Sequence, residues 1–152
     1  MPSSPRRKPP KELFEYLQPY DKTTTGLFLE VRDYVLLWCP SANELIYDAY
    51  NAVSCVYAFT ENTGDAFCHV AAYPSHVNLG FNRGAALDDP HALLEGSGKH
   101  IRHIPIHTAA DLLQVGCEDL LLQAIGQCGI DSATGSNKPI IKTVSGKKLR
   151  PG

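Results

Sequence analysis

The 152-residue chain has one tryptophan, one methionine and no apolar run approaching the roughly 20 residues that span a bilayer. No hydrophobic segment follows the opening MPSSPRRKPP, so that stretch is read as neither signal peptide nor anchor, and the expected location is cytoplasmic. No membrane partner is expected. The five cysteines (Cys39, Cys55, Cys68, Cys117, Cys128) include no C-x-x-C pair, and their number is odd. Neither a disulfide framework nor a cysteine zinc site is signalled, and buried reduced thiols are the expectation. Cys117 and Cys128 lie eleven residues apart, about three helical turns, which puts both on one helix face.

Motifs of catalysis are also missing. There is no H-E-x-x-H and no G-x-S-x-G, the serines lie in turns and end segments, and no nucleophile stands out. An enzyme is disfavoured on this ground. Asp88 and Asp89 could pair as acid and base, but directly before Pro90 they read as a helix cap. LLEGSGKH approaches a phosphate-binding loop yet has Leu93 where glycine belongs and His100 where Ser or Thr belongs. It also precedes a strand instead of opening a helix. A weaker reading survives: glycine-rich backbone beside Lys99 and Arg102 can form an anion-binding concavity, against the plainer reading of a tight turn. The six histidines have no metal-ligand spacing. His100 and His103 would point to opposite sides of a strand, and His69 and His76 could meet only across a hairpin. No metal and no cofactor are expected.

Acidic residues are absent from both ends. Residues 1–11 carry Arg6, Arg7, Lys8 and Lys11, and residues 138–152 carry Lys138, Lys142, Lys147, Lys148 and Arg150. Between them five basic residues face all sixteen acids. Residues 1–10, with four prolines and two serines, are expected as a disordered basic tail. Residues 131–152 are expected as a flexible basic tail, and residues 11–130 as a single domain. Such tails make weak, nonspecific nucleic-acid contact through counterion release.

Within the body, a short helix is predicted over Lys11–Leu17. A longer one is predicted over Thr25–Cys39, where Leu27, Val31, Val35 and Trp38 recur at helical spacing before Pro40. Ser41 and Glu44 have capping-box spacing and predict a third short helix. Residues 53–60, 66–73 and 76–82 alternate, are rich in β-branched and aromatic residues, and are separated by ENTGD and Pro74-Ser75. They predict an antiparallel meander with Val77, Leu79 and Phe81 facing the core and His76, Asn78 and Asn82 facing away. A helical turn at Pro90 and a fourth strand over residues 100–106 follow. The last helix is predicted from a Thr108/Asp111 cap, stacks Leu113, Cys117, Leu120, Leu121, Ala124 and Cys128, and ends at Gly129. The fold class expected is α+β, a two-layer sandwich with helices on one face of a mainly antiparallel sheet.

The stretches HVNLGF, RGAALDDP and LLEGSGKHIRH, with DAYNAV and DAFCHVAAY upstream, resemble the YdhG-like family, small bacterial α+β domains of unknown function. The likeness covers roughly residues 24–128 and implies a compact helix-and-sheet domain. It also implies, as one functional alternative, a frataxin-like intracellular iron chaperone. The carboxylates do not cluster accordingly: the long helix offers only Glu30 and Asp33, and Glu44, Asp48, Glu61 and Asp65 are scattered. Weak Fe(II) binding without a dedicated cage is expected.

The leading expectation is a non-enzymatic binding domain. His76, Asn78 and Arg83, with Lys99, Arg102 and His103 from the adjoining loop and strand, form the candidate site. Its partner is a small anionic ligand or an acidic group on a protein. The alternatives are the iron chaperone and a nucleic-acid accessory protein working through its tails. Oligomeric state is not legible.

Overall fold

Lys11–Leu17 forms α1 and Lys22–Trp38 forms α2. The second helix starts where Asp21 accepts a hydrogen bond from the Thr24 amide at 2.7 Å, and it stops two residues before Pro40, which could not continue it. Strands follow at Asn43–Asp48 (β1), Val53–Ala58 (β2), Cys68–Ala72 (β3), Val77–Phe81 (β4) and Arg102–Ile106 (β5). The chain then forms α3 (Cys117–Gln127) and β6 (Pro139–Val144). The structure, a computed structural model, describes residues 7–49 and 51–144. The expectations on residues 1–6 and 145–152 fall outside those residues.

The six strands form one mixed sheet in the order β5-β4-β3-β2-β1-β6, antiparallel throughout except where β6 runs parallel to β1. Helices pack against it, so the domain is α+β. The buried apolar residues of all three helices belong to one cluster, together with Ile46, Cys55, Tyr57, Val70, Leu79, Phe81, Ile104 and Ile106 from the strands. A smaller cluster of Leu45, Val56, Ala58 and Ala66 lies on the opposite side and includes no helix residue. Period-2 alternation thus divides the strands between two faces. Each large apolar side chain fully buried on the helix side contributes roughly 1.5–3 kcal/mol. All five cysteines are free, and only Cys128 is not buried.

One charged group lies in the larger core. Arg32 on α2 and Glu44 on β1 are both fully buried, joined by Nε–Oε2 at 2.6 Å and Nη2–Oε1 at 2.9 Å. The Tyr57 hydroxyl donates to the same carboxylate at 2.8 Å, and Arg32 Nη1 donates to the Arg7 carbonyl. This fork-on-fork geometry satisfies the ions where water cannot.

Four expectations are corrected. The capping-box spacing of Ser41 and Glu44 opens no helix: residues 43–48 are β1, buried on both sides because β2 and β6 flank it. The segment at Pro90 is a turn, with Asp89 accepting from the Leu93 and Leu94 amides. Thr108 and Asp111 do form a capping box, but over a 3-10 segment, Ala109–Leu113, in which Leu113 is 81% exposed. Gly116, at φ +100°, then starts α3, and a side chain there would meet the His91 ring at 2.8 Å. Finally, residues 131–144 do not follow the tail reading. They carry a 3-10 segment, Ser132–Thr134, and β6, fixed to β1 by Glu44 N–H donating to Lys138 O at 2.9 Å. At the other end, Arg7 donates to the Pro40 and Ala42 carbonyls and is held to the body.

Candidate functional site

The register of β3, β4 and β5 sets the site. Gly80 on β4 pairs with His69 on one side and His103 on the other, and Asn78 pairs with Ala71 and Pro105. These residues alternate with core-facing Val70, Leu79 and Ile104, so they share the face away from the helices. His76 precedes β4 and His107 follows β5, next in register after the Val77–Ile106 pair. The expected outward set of His76, Asn78 and Asn82 lies on this face, with His103 beside it.

Two imidazoles are held in place. The His69 ring lies over Gly80, where an added Cβ would fall 2.0 Å from its Nε2, and its Nδ1 meets Asn82 Oδ1 at 3.1 Å. The His76 ring stacks on Tyr73 with centroids 4.9 Å apart and its Nδ1 meets Ser75 Oγ at 3.2 Å. Burial, reinforced by His103, holds His69 below the ordinary imidazole range; its bond to Asn82 works the other way. Burial, then His103 and His107, depresses His76. Asn78 Oδ1 is buried and has no hydrogen-bond partner.

Arg83 and Lys99 are exposed and line an open cleft of about 610 Å³, with Asn82, His100, Thr63 and Gly64 on its walls. No carboxylate lines it. The loop between Arg83 and Lys99 is fixed at its base, because the Gln123 side chain accepts from the Asp88 amide and donates to the Asp88 carbonyl, both at 2.9 Å. Arg102 takes a different role from the one expected. Its guanidinium turns back to the Gly98 and Ile101 carbonyls, tying the glycine turn that presents Lys99.

The structure therefore groups His76, Asn78 and His103 on the sheet face, and Arg83 with Lys99 in the cleft. Asn82, bonded to His69 and lining the cleft, joins the two groups. Sequence reasoning missed His69, His100 and His107 as members. His69 was legible, since it occupies the outward phase between Cys68 and Val70. His100 and His107 lie outside the strand and had no such signal. Among the described residues, no group of three or more His, Cys, Asp or Glu side chains is placed to hold a metal ion, and no helix is long and apolar enough to cross a membrane. No protein-family model, curated protein or solved structure matches the chain.

Proposed function

We propose that the domain is a non-enzymatic binding module for anionic groups, with Arg83 and Lys99 as the charged contacts and Asn82, His100 and Thr63 as neutral donors. The observation that carries this reading is the distribution of charge. Of the five cations between residues 12 and 137, Arg32 is consumed by Glu44, while Arg83 and Lys99 line one cleft without a lining carboxylate and Arg102 braces the turn that presents Lys99. A body with sixteen acids would otherwise repel an anion from every side. A phosphate or carboxylate fits paired cations beside amide and hydroxyl donors. We read the architecture that carries the cleft as the two-layer sandwich of the YdhG-like, frataxin-like kind, supported by the confinement of helix residues to the larger core cluster.

The test is a nitrogen-15 NMR titration with inorganic phosphate at about pH 7.5, where histidine is mostly neutral. Saturable shifts are expected at Gly64, Asn82, Arg83 and Lys99, and are expected to vanish in the doubly substituted R83Q/K99Q protein. Shifts that are absent, or that survive the double substitution, overturn the reading.

A further inference from the structure

Polar donors continue from the cleft along the sheet. His69 and His103 flank Gly80, and His76 with His107 lies one step past the end of the β4–β5 ladder. We propose that this histidine face and the Arg83–Lys99 cleft form one continuous site for an extended acidic peptide segment, and that protonation of the face tightens the binding. The cleft half of this site rests on the anion-binding reading above.

Length argues for an extended ligand. From His76 to Asn82 the strand advances six residues, about 20 Å, several times the span of a single carboxylate or phosphate. Charge argues for an acidic one. The outward positions of β3, β4 and β5 are His69, Ala71, Asn78, Gly80, His103 and Pro105, none a carboxylate, and the one acid paired to them is Glu95, bridged to His103 at the edge. A neutral imidazole donates one hydrogen bond, whereas imidazolium donates from both nitrogens and adds a charge. The His69 and His76 rings are already fixed by Asn82, Gly80, Tyr73 and Ser75, which limits the ordering cost of binding. Other groups beside the cluster are Glu95, bridged to His103, Asp111, bound to the His107 and Thr108 amides, and Arg83 and Lys99 at the far end. Burial lowers the affinity of His69 and His76 for protons, so charge appears at these two rings only on acidification.

The peptide lies across the face, because the neighbouring sheet edge is closed. The His103 amide and carbonyl are used by Glu95, Pro105 has no N–H, and the His107 amide donates to Asp111. A nucleic-acid strand fits less well, because the body around the face is acidic and repels phosphate.

The experiment measures the affinity of a fluorescein-labelled hexa-aspartate for the full chain by anisotropy at about pH 7.5 and about pH 5.5, a window in which its carboxylates stay ionised. Affinity is expected to rise about tenfold on acidification, an average uptake on binding of roughly half a proton across that window. The H76Q/H103Q protein is expected to lose that rise. R83Q/K99Q is expected to bind more weakly at both values and keep the rise. An affinity flat with pH, or a rise that persists without His76 and His103, overturns the inference, while the phosphate titration of the cleft stands or falls separately. Equal or stronger binding of single-stranded oligothymidylate at the lower pH also overturns it. As a check independent of substitution, the His76 and His103 ring resonances must titrate at higher pH with hexa-aspartate present; unmoved midpoints count against the proposal.

Discussion

On the helix side of the sheet, β3 to β5 present Val70, Leu79, Phe81 and Ile104, none more than 2% exposed. On the other side the same strands present His69, Asn78 and His103, all partly exposed. The two sets alternate residue by residue, so one backbone serves both purposes. The helix side uses shape and apolar area, with the Arg32–Glu44 ion pair bonded at both ends. The opposite side carries polar side chains, and Asn78 Oδ1 there has no partner. Stability is concentrated on the helix side, and the proposed binding surface lies on the other. Substitutions on neighbouring residues should separate the two properties.

The sharpest break is expected at the ion pair. Glu44→Ala strands the Arg32 guanidinium in the core without its two carboxylate bonds and should cost about 3–5 kcal/mol in urea unfolding. Replacing both partners together, Arg32→Met with Glu44→Leu, should restore most of that loss, since neither ion is then left without the other. A double variant as unstable as the single one would show that the pair does more than satisfy itself.

Next comes the pair of adjacent residues on β4. Leu79→Ala opens a cavity in the larger core and should cost about 2–5 kcal/mol. Asn78→Val, one residue away, should be neutral or slightly stabilising, because it removes a buried acceptor that has no partner and adds a strand-favouring side chain. A large loss at Asn78 measured by the same unfolding curves would mean that the face is structural.

This alternation is also what made the sheet legible. Residues 66–73 and 76–82 each carry a polar outward position, His69 and Asn78, against a buried phase. Residues 53–60 are marked by β-branched and aromatic content, though β2 is buried on both faces except at Ser54, and the structure places β2, β3 and β4 inside these ranges. β1 was obscured because it is central: Leu45 and Ile46 are both fully buried, so no polar phase marks it, and Ser41 with Glu44 imitates a helix start. β6 was obscured for the reverse reason. PIIKTV sits among basic and polar residues, and its partner lies some 95 positions earlier, a pairing that local pattern does not carry. Likewise, parity predicted which residues leave the core at His76, Asn78 and Asn82, while Arg102 needed coordinates because its side chain folds onto its own loop.

Gly80 tests how tightly the binding side is built. Gly80→Ala places a methyl where the His69 ring lies and should cost about 1–3 kcal/mol as that ring is displaced. His69→Ala in the same protein should recover most of it, and a double-mutant cycle measures the recovery. Additive losses would contradict the stacking of ring on glycine.

Acidification separates the faces by sign. His69 and His76 hold protons less well in the folded chain than unfolded, so the unfolded chain takes up more protons as pH falls below the free histidine value. Folding stability should thus fall between about pH 7 and pH 5. The low-lying carboxylates, Asp21 and Asp111, are held down by backbone amides and lose their contribution only at still lower pH. His69→Gln should flatten the slope in that window, as read from urea midpoints; an unchanged slope would assign the protons elsewhere.

The smallest effect is expected at the sheet's far edge. Lys138 and Glu61 meet at 3.0 Å, but both are largely exposed, at 49% and 62%. Water screens the pair and two long side chains must be ordered to hold it, so Lys138→Ala should cost no more than about 1 kcal/mol, and less at high salt. The strand itself is held by contacts that this change leaves alone: the Lys138 carbonyl accepts from the Glu44 amide, the Asn43 side chain accepts from the Ser136 amide, and Ser41 donates to the Ser132 carbonyl. Hydrogen exchange at Glu44 and Ile46 should therefore stay slow in the variant. Rapid exchange there would mean that β6 depends on its surface charge, and that this edge of the sheet is less firmly built than the β5 edge beside the histidines.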